Sequence, residues 1–341
     1  MTDAASPAPI AADQLPKRRR DLLPVALPLA AAALAFVLIG SPTTFLTLTL
    51  SALAMGLMIF VIASGLTLVF GLMDVINFGH GAFIAVGAYL GVAVLAPLAG
   101  LTTADSLGLN LTAVGLAALV AMAVTGALGL AFERIVIRPV YGRHLEQILI
   151  TMGGMIVAEQ TLLLVFGGEQ QAMPLPAALR GAFVVGDFAF EKFRLLAVAV
   201  GLVVFFAMEG TLNHTRVGLL IRAGVENAEM VEALGYRVRR LFVGVFVAGS
   251  ALAGLGGVMW ALQKETFSVT IGADVMVLVF VVIIIGGLGS VGGCFLGALL
   301  VALVSNYTAF LAPKLALVSS ILLMVAILLW RPQGLYPVVK K

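Results

Sequence analysis

Residues 275–312 contain no Asp, Glu, Lys, Arg or His, and this uninterrupted run is 38 residues long. A single α-helix of that length would extend roughly 57 Å, nearly twice the ~30 Å hydrocarbon thickness of a bilayer. The chain therefore has to turn back within the run, and the sequence suited to that turn is GGLGSVGG at residues 286–293. A glycine-rich reversal between apolar segments indicates a polytopic membrane protein. It also favours transport, because irregular backbone at membrane depth is tolerated only where it packs in protein or lines a cavity.

The composition and the N-terminal region agree with this interpretation. Apolar residues make up 62% of the 341 residues and charged residues only 11%, about half the ~25% of a soluble domain. The single cysteine, Cys294, excludes an intramolecular disulfide and a multi-thiolate metal site. The sequence KRRR at residues 17–20 precedes an apolar run, as in a signal peptide, but no small-x-small cleavage site follows that run. We predict an uncleaved first span and a disordered cytoplasmic extension over residues 1–21.

Apolar runs separated by charged breaks predict an all-α membrane bundle of about ten spans, some of them short or broken. The predicted transmembrane domain covers residues 22–334, and residues 335–341 form a short cytoplasmic tail. The predicted spans are residues 22–39, 45–66, 78–98, 111–131, 147–166, 194–210, 241–262, 274–287, 293–312 and 315–331.

The distribution of basic residues predicts the orientation of these spans, because Lys and Arg are enriched in cytoplasmic loops. With the N-terminus inside, 15 of the 20 Lys and Arg residues fall on the cytoplasmic side and 5 on the outer side. Both termini are therefore predicted to be cytoplasmic. The inner group is Lys17, Arg18, Arg19, Arg20, Arg134, Arg138, Arg143, Arg216, Arg222, Arg237, Arg239, Arg240, Arg331, Lys340 and Lys341; the outer group is Arg180, Lys192, Arg194, Lys264 and Lys314.

Two predicted spans are unusual and point to a translocation pathway. The eighth has about 12 apolar residues, which is short for a full crossing. The third begins with the polar and glycine-rich sequence DVINFGHG at residues 74–81. Short or glycine-interrupted segments of this kind mark substrate sites in transporters. The candidate pathway residues are Asn77, His80, Glu159, Gly287 and Ser290.

Each polar candidate has more than one interpretation. His80 and Asn77 are either packed and hydrogen-bonded inside the bundle or exposed to the pathway. Glu159 lies within the fifth predicted span, where an unpaired carboxylate is costly. It is therefore either protonated, paired with an arginine or facing water.

The longest predicted cytoplasmic loop, residues 211–240, carries a second functional signal. Its segment RAGVENAEMVEALG, at residues 222–235, is predicted to be one amphipathic helix that ends at Gly235. Arg222, Glu226, Glu229 and Glu232 fall on one face, and Ala223, Met230, Val231 and Leu234 fall on the other. One interpretation is a helix that lies on the membrane surface. Because such helices usually carry basic polar faces, the three glutamates favour docking to a basic groove of a cytosolic partner.

This loop and several other motifs resemble those of a known family. The sequence EMVEALG at residues 229–235 resembles the coupling loop of ABC importer permeases, with an acidic residue six positions before a glycine. The segment GLTLVFGLMDVINFGHGAF at residues 65–83 is similar to the signature of LivH-type branched-chain amino acid permeases. Further similar motifs, in the family's order, are FER at 132–134, RP at 138–139, GGLGS at 286–290 and RPQGL at 331–335.

The resemblance implies a permease subunit in the inner membrane of a bacterium. Its expected partners are a second, LivM-type permease, two cytosolic ABC ATPases and a periplasmic substrate-binding protein. The coupling residues implied are Arg222, Glu226, Glu229, Glu232, Ala233 and Gly235. The chain has no GxxxxGK[ST] phosphate-binding loop, and no lysine follows a glycine. It is therefore predicted to lack a nucleotide-hydrolysing site of its own.

Other functions remain open at this stage. Urea, short amides or other amino acids are alternatives to a branched-chain amino acid as the solute. A proton-coupled secondary transporter that uses Glu159 and His80 is an alternative mechanism. No catalytic constellation, metal-ligand spacing or cofactor motif stands out, and the basic residues follow the topology rather than a nucleic-acid-binding patch.

Overall fold

A computed structural model describes residues 23–186 and 188–336. The predicted N-terminal extension, residues 1–21, and residues 337–341 of the predicted C-terminal tail lie outside the described residues. Thirteen α-helices occur in the described part of the chain. They are α1 (Leu23–Ile39), α2 (Pro42–Met73), α3 (His80–Leu95), α4 (Ala99–Thr102), α5 (Leu107–Phe132), α6 (His144–Phe166), α7 (Lys192–His214), α8 (Arg216–Glu226), α9 (Ala228–Ala233), α10 (Val238–Lys264), α11 (Ile271–Gly286), α12 (Val291–Leu311) and α13 (Ala316–Trp330).

Each of the ten predicted apolar segments contains a long helix, so the described residues form the all-α bundle that the sequence predicts. By length and composition, six helical segments are able to cross a membrane: residues Pro42–Met73, Leu107–Val140, His144–Phe166, Lys192–His214, Val238–Lys264 and Val291–Leu311. Helices α1, α3, α11 and α13 are apolar but have only 15 to 17 residues. The second helix is longer than predicted, since it continues seven residues beyond residue 66 to Met73.

Local capping explains where several helices begin and end. Ser41 caps α2 by accepting a hydrogen bond from the Thr44 N–H, and Pro42 fills the first helical position. At the other end, Asp74 stops α2 in a left-handed conformation with φ 52°. Beyond α5 the chain continues through a π-helix (Glu133–Ile137) and a 3₁₀-helix (Arg138–Val140) before α6 begins.

The core of the bundle is built around α2 and α10. Helix α10 packs against α2, α3 and α5, and α2 also packs against α7 and α12. Glycines allow these close approaches, because a Cβ at Gly87 of α3 would lie 2.6 Å from the Gly254 Cα of α10. Small residues at such contacts let helix backbones meet without a side chain between them. The outer surfaces of α6 and α7 are largely apolar and exposed.

The two unusual spans are neighbours. Helices α3 and α11 each have 16 residues, or roughly 24 Å of helix. They pack against each other where Gly81 faces Gly272, and the Phe78 and Phe280 rings lie 4.7 Å apart, centroid to centroid.

Four short strands lie outside the bundle. Strand β1 (Gln171–Ala172) pairs antiparallel with β4 (Thr266–Phe267), and β2 (Ala182–Val185) pairs antiparallel with β3 (Phe188–Glu191). All four fall in connections that the orientation analysis assigns to the outer side.

Candidate functional site

The predicted coupling segment is a two-helix element rather than one helix. The prediction of a continuous amphipathic helix over residues 222–234 is wrong, because the chain breaks at Asn227, with φ −154° and ψ 93°. The Asn227 carboxamide oxygen accepts a hydrogen bond of 2.9 Å from the Met230 N–H and so begins α9. Asparagine favours such caps over helix interiors because its side chain competes for backbone donors.

Gly235 ends this element as predicted. It follows α9 with φ +88°, in the left-handed region that favours glycine. Nothing lies within 4 Å of the position that a Cβ would take there. The requirement for glycine at position 235 is therefore conformational rather than steric.

The break at Asn227 changes which side chains the element exposes. The side chains of Arg222, Glu226, Glu229, Glu232 and Ala233 are all exposed. Of the predicted apolar face, Val231 is buried, whereas Met230 and Leu234 are 59% and 70% exposed. The kink rotates α9 relative to α8, so the exposed surface of α9 combines carboxylates with apolar side chains.

Helix α8 packs closely against the bundle, and α9 follows it in the chain. Gly218 of α8 contacts the Leu212 backbone of α7 so closely that no Cβ would fit. Gly224 faces the side chain of Val238 at the start of α10. Arg222 donates a hydrogen bond of 3.1 Å to the Asn213 side-chain oxygen. Helix α8 is therefore in close contact with α7 and α10, two of the long helices.

Asn77 and His80 lie inside the bundle, where α2 gives way to α3. The His80 side chain is 1% exposed, and its Nε2 lies 3.1 Å from the carbonyl oxygen of Ile62. Asn77 is also 1% exposed, and neither polar atom of its amide has a hydrogen-bond partner within the described chain. His80 thus fits the packed interpretation, while Asn77 is a buried polar group whose bonding capacity is unused.

Two polar residues of α6 hold the connection between α2 and α3. The Gln147 side-chain oxygen accepts a hydrogen bond from the Ile76 N–H (3.4 Å), and the Thr151 hydroxyl accepts one from the Phe78 N–H (3.1 Å). Sequence analysis did not single out these two residues. These two polar residues are four positions apart in an apolar segment, so they lie on one face of the helix. This spacing could have identified them from the sequence.

Glu159 lies on α6, away from arginine. One of its carboxylate oxygens is buried without a hydrogen-bond partner among the described residues. The acidic group that affects it electrostatically is Asp274, in the first turn of α11, which disfavours the charged form of Glu159. The structure therefore contradicts one of the three interpretations of Glu159, because no arginine forms an ion pair with it among the described residues.

Gly287 and Ser290 form the tight turn between α11 and α12. The Ser290 hydroxyl caps α12 by accepting a 3.0 Å hydrogen bond from the Gly293 N–H. Gly287 has φ +98°, and a Cβ there would lie 2.8 Å from the Tyr336 carbonyl oxygen. The chain after α13 closes over this turn, since the N–H groups of Leu335 and Tyr336 donate to the carbonyls of Ile285 and Gly286. These contacts explain the presence of Gly287 and Ser290 by their structural role in the turn.

A small cavity of about 140 Å³ lies between α2, α7, α10 and α12. Its walls combine apolar side chains, including Met58 and Trp260, with the cations of Arg194 and Lys264. One wall is formed by Gln263, whose side-chain oxygen is buried without a hydrogen-bond partner in the part of the chain that the structure describes. Sequence analysis missed this site because it combines side chains from four distant helices.

Comparisons with known proteins identify relatives along most of the chain. Residues 48–328 match the family described as "Branched-chain amino acid transport system / permease component". The chain is 28% identical over 298 residues to BraD, a high-affinity branched-chain amino acid transport system permease protein of Pseudomonas aeruginosa. It is 29% identical over 300 residues to the corresponding LivH protein of Escherichia coli K12. Both alignments cover 85% of this chain and 95% of the relative.

A more distant relative is of the second permease type. The probable branched-chain amino acid transport permease protein LivM of Methanocaldococcus jannaschii is 27% identical over 320 residues, covering 82% of this chain and 90% of the relative. No solved structure matches the chain. The match over residues 48–328 shows that the chain belongs to the family of permease components of branched-chain amino acid transport systems.

Proposed function

We propose that this chain is the membrane-spanning permease subunit of an ABC importer for branched-chain amino acids in the bacterial inner membrane. The observation that carries the proposal is the family match over residues 48–328, together with an exposed element at the residues whose sequence resembles a coupling loop. In this assignment a second permease completes the pathway, two cytosolic ATPases supply the energy, and a periplasmic protein delivers the solute.

The geometry of α8 and α9 supports a role in coupling. Glu226, Glu229 and Glu232 are exposed, as are Met230 and Leu234. A partner groove with basic walls and an apolar floor is the complementary surface, since interface cores are apolar and opposite charges give specificity. The close contacts of α8 with α7 and α10 would convert a movement of the docked ATPase into a movement of the bundle.

The positions of basic residues agree with the predicted alternation of the spans. Arg194 and Lys264, both assigned to the outer side, line the 140 Å³ cavity. Four arginines assigned to the inner side, Arg134, Arg237, Arg239 and Arg240, line a different cavity. Residues that sequence analysis assigned to one side of the membrane thus lie together, as expected from the predicted alternation of the spans between these loops.

The small outer cavity fits the chemistry of the proposed solute. Lys264 is suited to a carboxylate, and the unused Gln263 oxygen is suited to an ammonium group. Arg194 adds positive charge to the cavity, although its guanidinium also forms an ion pair with Glu191. Met58 and Trp260 provide apolar surface for a branched side chain. We therefore assign this cavity to the outer part of the pathway.

Reconstitution tests this function directly. The chain, its permease partner, the two ATPases and the binding protein are incorporated into liposomes, and uptake of radiolabelled leucine is measured with and without ATP. We expect uptake to require ATP and the ATPases. Matched assays with urea and with acidic or basic amino acids establish the solute class. Leucine uptake by the permeases alone, driven by a proton gradient, would contradict the proposal and support the secondary-transporter alternative.

A further inference from the structure

A second and larger cavity lies beside the coupling element, at the end of the bundle opposite the small cavity. Its volume is about 870 Å³, within the 300–1,000 Å³ typical of small-molecule sites. Its walls come from the π-helix after α5, from the end of α9 and the chain that follows it, and from the start of α10. We call it the arginine cavity, because its charged walls are Arg134, Arg237, Arg239, Arg240, Glu133 and Glu232.

The four arginines of this cavity have no carboxylate partner. Within the residues that the structure describes, none of their guanidinium groups lies within 4.0 Å of a carboxylate oxygen. Arg239 and Arg240 also occupy the first turn of α10, where positive side chains oppose the helix dipole. Four positive charges against two negative ones leave an excess of positive charge that an anion would neutralise.

Glu133, at the cavity wall, is a buried carboxylate with spare hydrogen-bonding capacity. Glu133 is 1% exposed, and its Oε2 has no hydrogen-bond partner among the described residues, although Oε1 accepts a 3.3 Å hydrogen bond from the Tyr141 hydroxyl. Burial and the Glu133 charge raise the pKa of Tyr141, so its hydroxyl keeps the proton that it donates. Oε2 is left without a donor at the wall of a basic site.

We propose that the arginine cavity binds a phosphate-bearing anion. Guanidinium groups match phosphate oxygens with paired hydrogen bonds. Basic pockets between helices at the cytoplasmic side of a membrane are suited to anionic lipid headgroups. The ligand is either the headgroup of an anionic phospholipid or a free phosphate compound of the cytosol.

The position of the cavity gives its occupant a regulatory role. Glu232 and Gly235, at the end of the coupling element, form part of the same wall as Arg237 and Arg239. An anion held by the arginines would stabilise one position of α9 relative to α10. This role rests on the proposed function, whereas the binding itself does not.

Binding is tested on the purified full chain in a neutral detergent, without transport. The probes are dioctanoyl phosphatidylglycerol, dioctanoyl phosphatidylcholine and inorganic phosphate, and affinity is measured by ligand-dependent thermal stabilisation. We expect phosphatidylglycerol to bind more tightly than phosphatidylcholine if the source is lipid, and inorganic phosphate to bind or compete if the source is soluble. The combined variant Arg237→Gln and Arg239→Gln should bind at least about tenfold more weakly, the effect of losing one charge-assisted hydrogen bond.

The matched control is the combined variant Arg138→Gln and Arg216→Gln. It removes the same charge from the predicted cytoplasmic face, at residues that do not line the cavity. Equal weakening in both variants would show nonspecific attraction and would overturn the proposal, as would unchanged binding in the Arg237/Arg239 variant. If that variant lost only its association with the ATPases, the cavity would be a protein-docking surface instead.

A gain-of-binding variant tests the site even if the arginine variant is unstable. Glu133→Gln removes one negative charge from the cavity wall but keeps an oxygen that can accept from Tyr141. We expect it to bind the anionic probe several-fold more tightly than the unmodified chain. Weaker or unchanged binding would contradict the proposed site. Because no uptake is measured, failure here is distinguishable from failure of the importer function.

Discussion

Gly235 is the residue whose backbone conformation most directly limits the coupling element. A side chain at φ +88° costs roughly 1–2 kcal/mol, although the surrounding space is open. We expect Gly235→Ala to reduce the amount of leucine transported per ATP hydrolysed. Gly235→Asn should retain most of it, because asparagine tolerates the left-handed region. Parallel uptake and ATPase assays in proteoliposomes measure this ratio, and equal coupling in the alanine variant would show that the conformation is dispensable.

A substitution of Glu159 distinguishes the ATP-driven mechanism from the proton-coupled one. In an importer driven by separate ATPases, no proton has to pass through this carboxyl group. We therefore expect Glu159→Gln, which keeps the shape and a hydrogen-bonding oxygen, to retain ATP-dependent leucine uptake within about twofold. Initial uptake rates at two external pH values provide the measurement. Loss of uptake in a correctly assembled variant would contradict this expectation.

At the scale of elements, α9 contributes charge to the proposed ATPase interface. Reversing Glu229 and Glu232 to lysine replaces two attractions to a basic groove with two repulsions, which are costly across an interface. We expect the combined variant to insert normally but to lose most ATPase association, measured by co-purification. The control is Glu169→Lys, an exposed carboxylate assigned to the outer side. Normal ATPase recovery with the α9 variant would exclude α9 as the docking element.

The contact between α3 and α10 is expected to tolerate little added volume. A side chain at Gly87 would collide with the Gly254 backbone, which cannot rotate away as a side chain can. We expect Gly87→Val to destabilise the chain by at least about 3 kcal/mol and to lower its melting temperature in detergent. Gly115→Val is the matched control, because Gly115 is also in an apolar helix but has nothing within 4 Å of its Cβ position. Similar melting temperatures for the two variants would contradict this packing.

For the molecule as a whole, the helices were predictable and their contacts were not. Each apolar run is long enough to form a helix by itself, so composition and charged breaks alone locate the helical segments. Gly235 was also predictable, because its role depends on local backbone conformation. The break at Asn227 was missed because helical periodicity continues across it, and a single capping hydrogen bond decides against continuation.

The candidate sites were harder to predict from the sequence than the helices were. Gly287 and Ser290 suggested a pathway because their polar and glycine-rich sequence interrupts an apolar run, yet tertiary contacts account for them as a turn closed by residues 335 and 336. Conversely, the arginine cavity joins Arg134 to Arg237, about 100 residues later in the sequence. No periodicity or local motif connects such residues, so only the packing of α5 against α10 identifies them as one site.

Orientation is the property of the whole molecule on which both cavity assignments depend, and cysteine labelling tests it. The native Cys294 is buried with 0% exposure, so a membrane-impermeant maleimide should leave the unmodified chain unlabelled. Glu169→Cys, between α6 and β1, should be labelled on intact cells because it is assigned to the outer side. Glu229→Cys, on α9, should be labelled only after permeabilisation. The reverse pattern would place the arginine cavity and the coupling element outside, where no cytosolic ATPase could reach them.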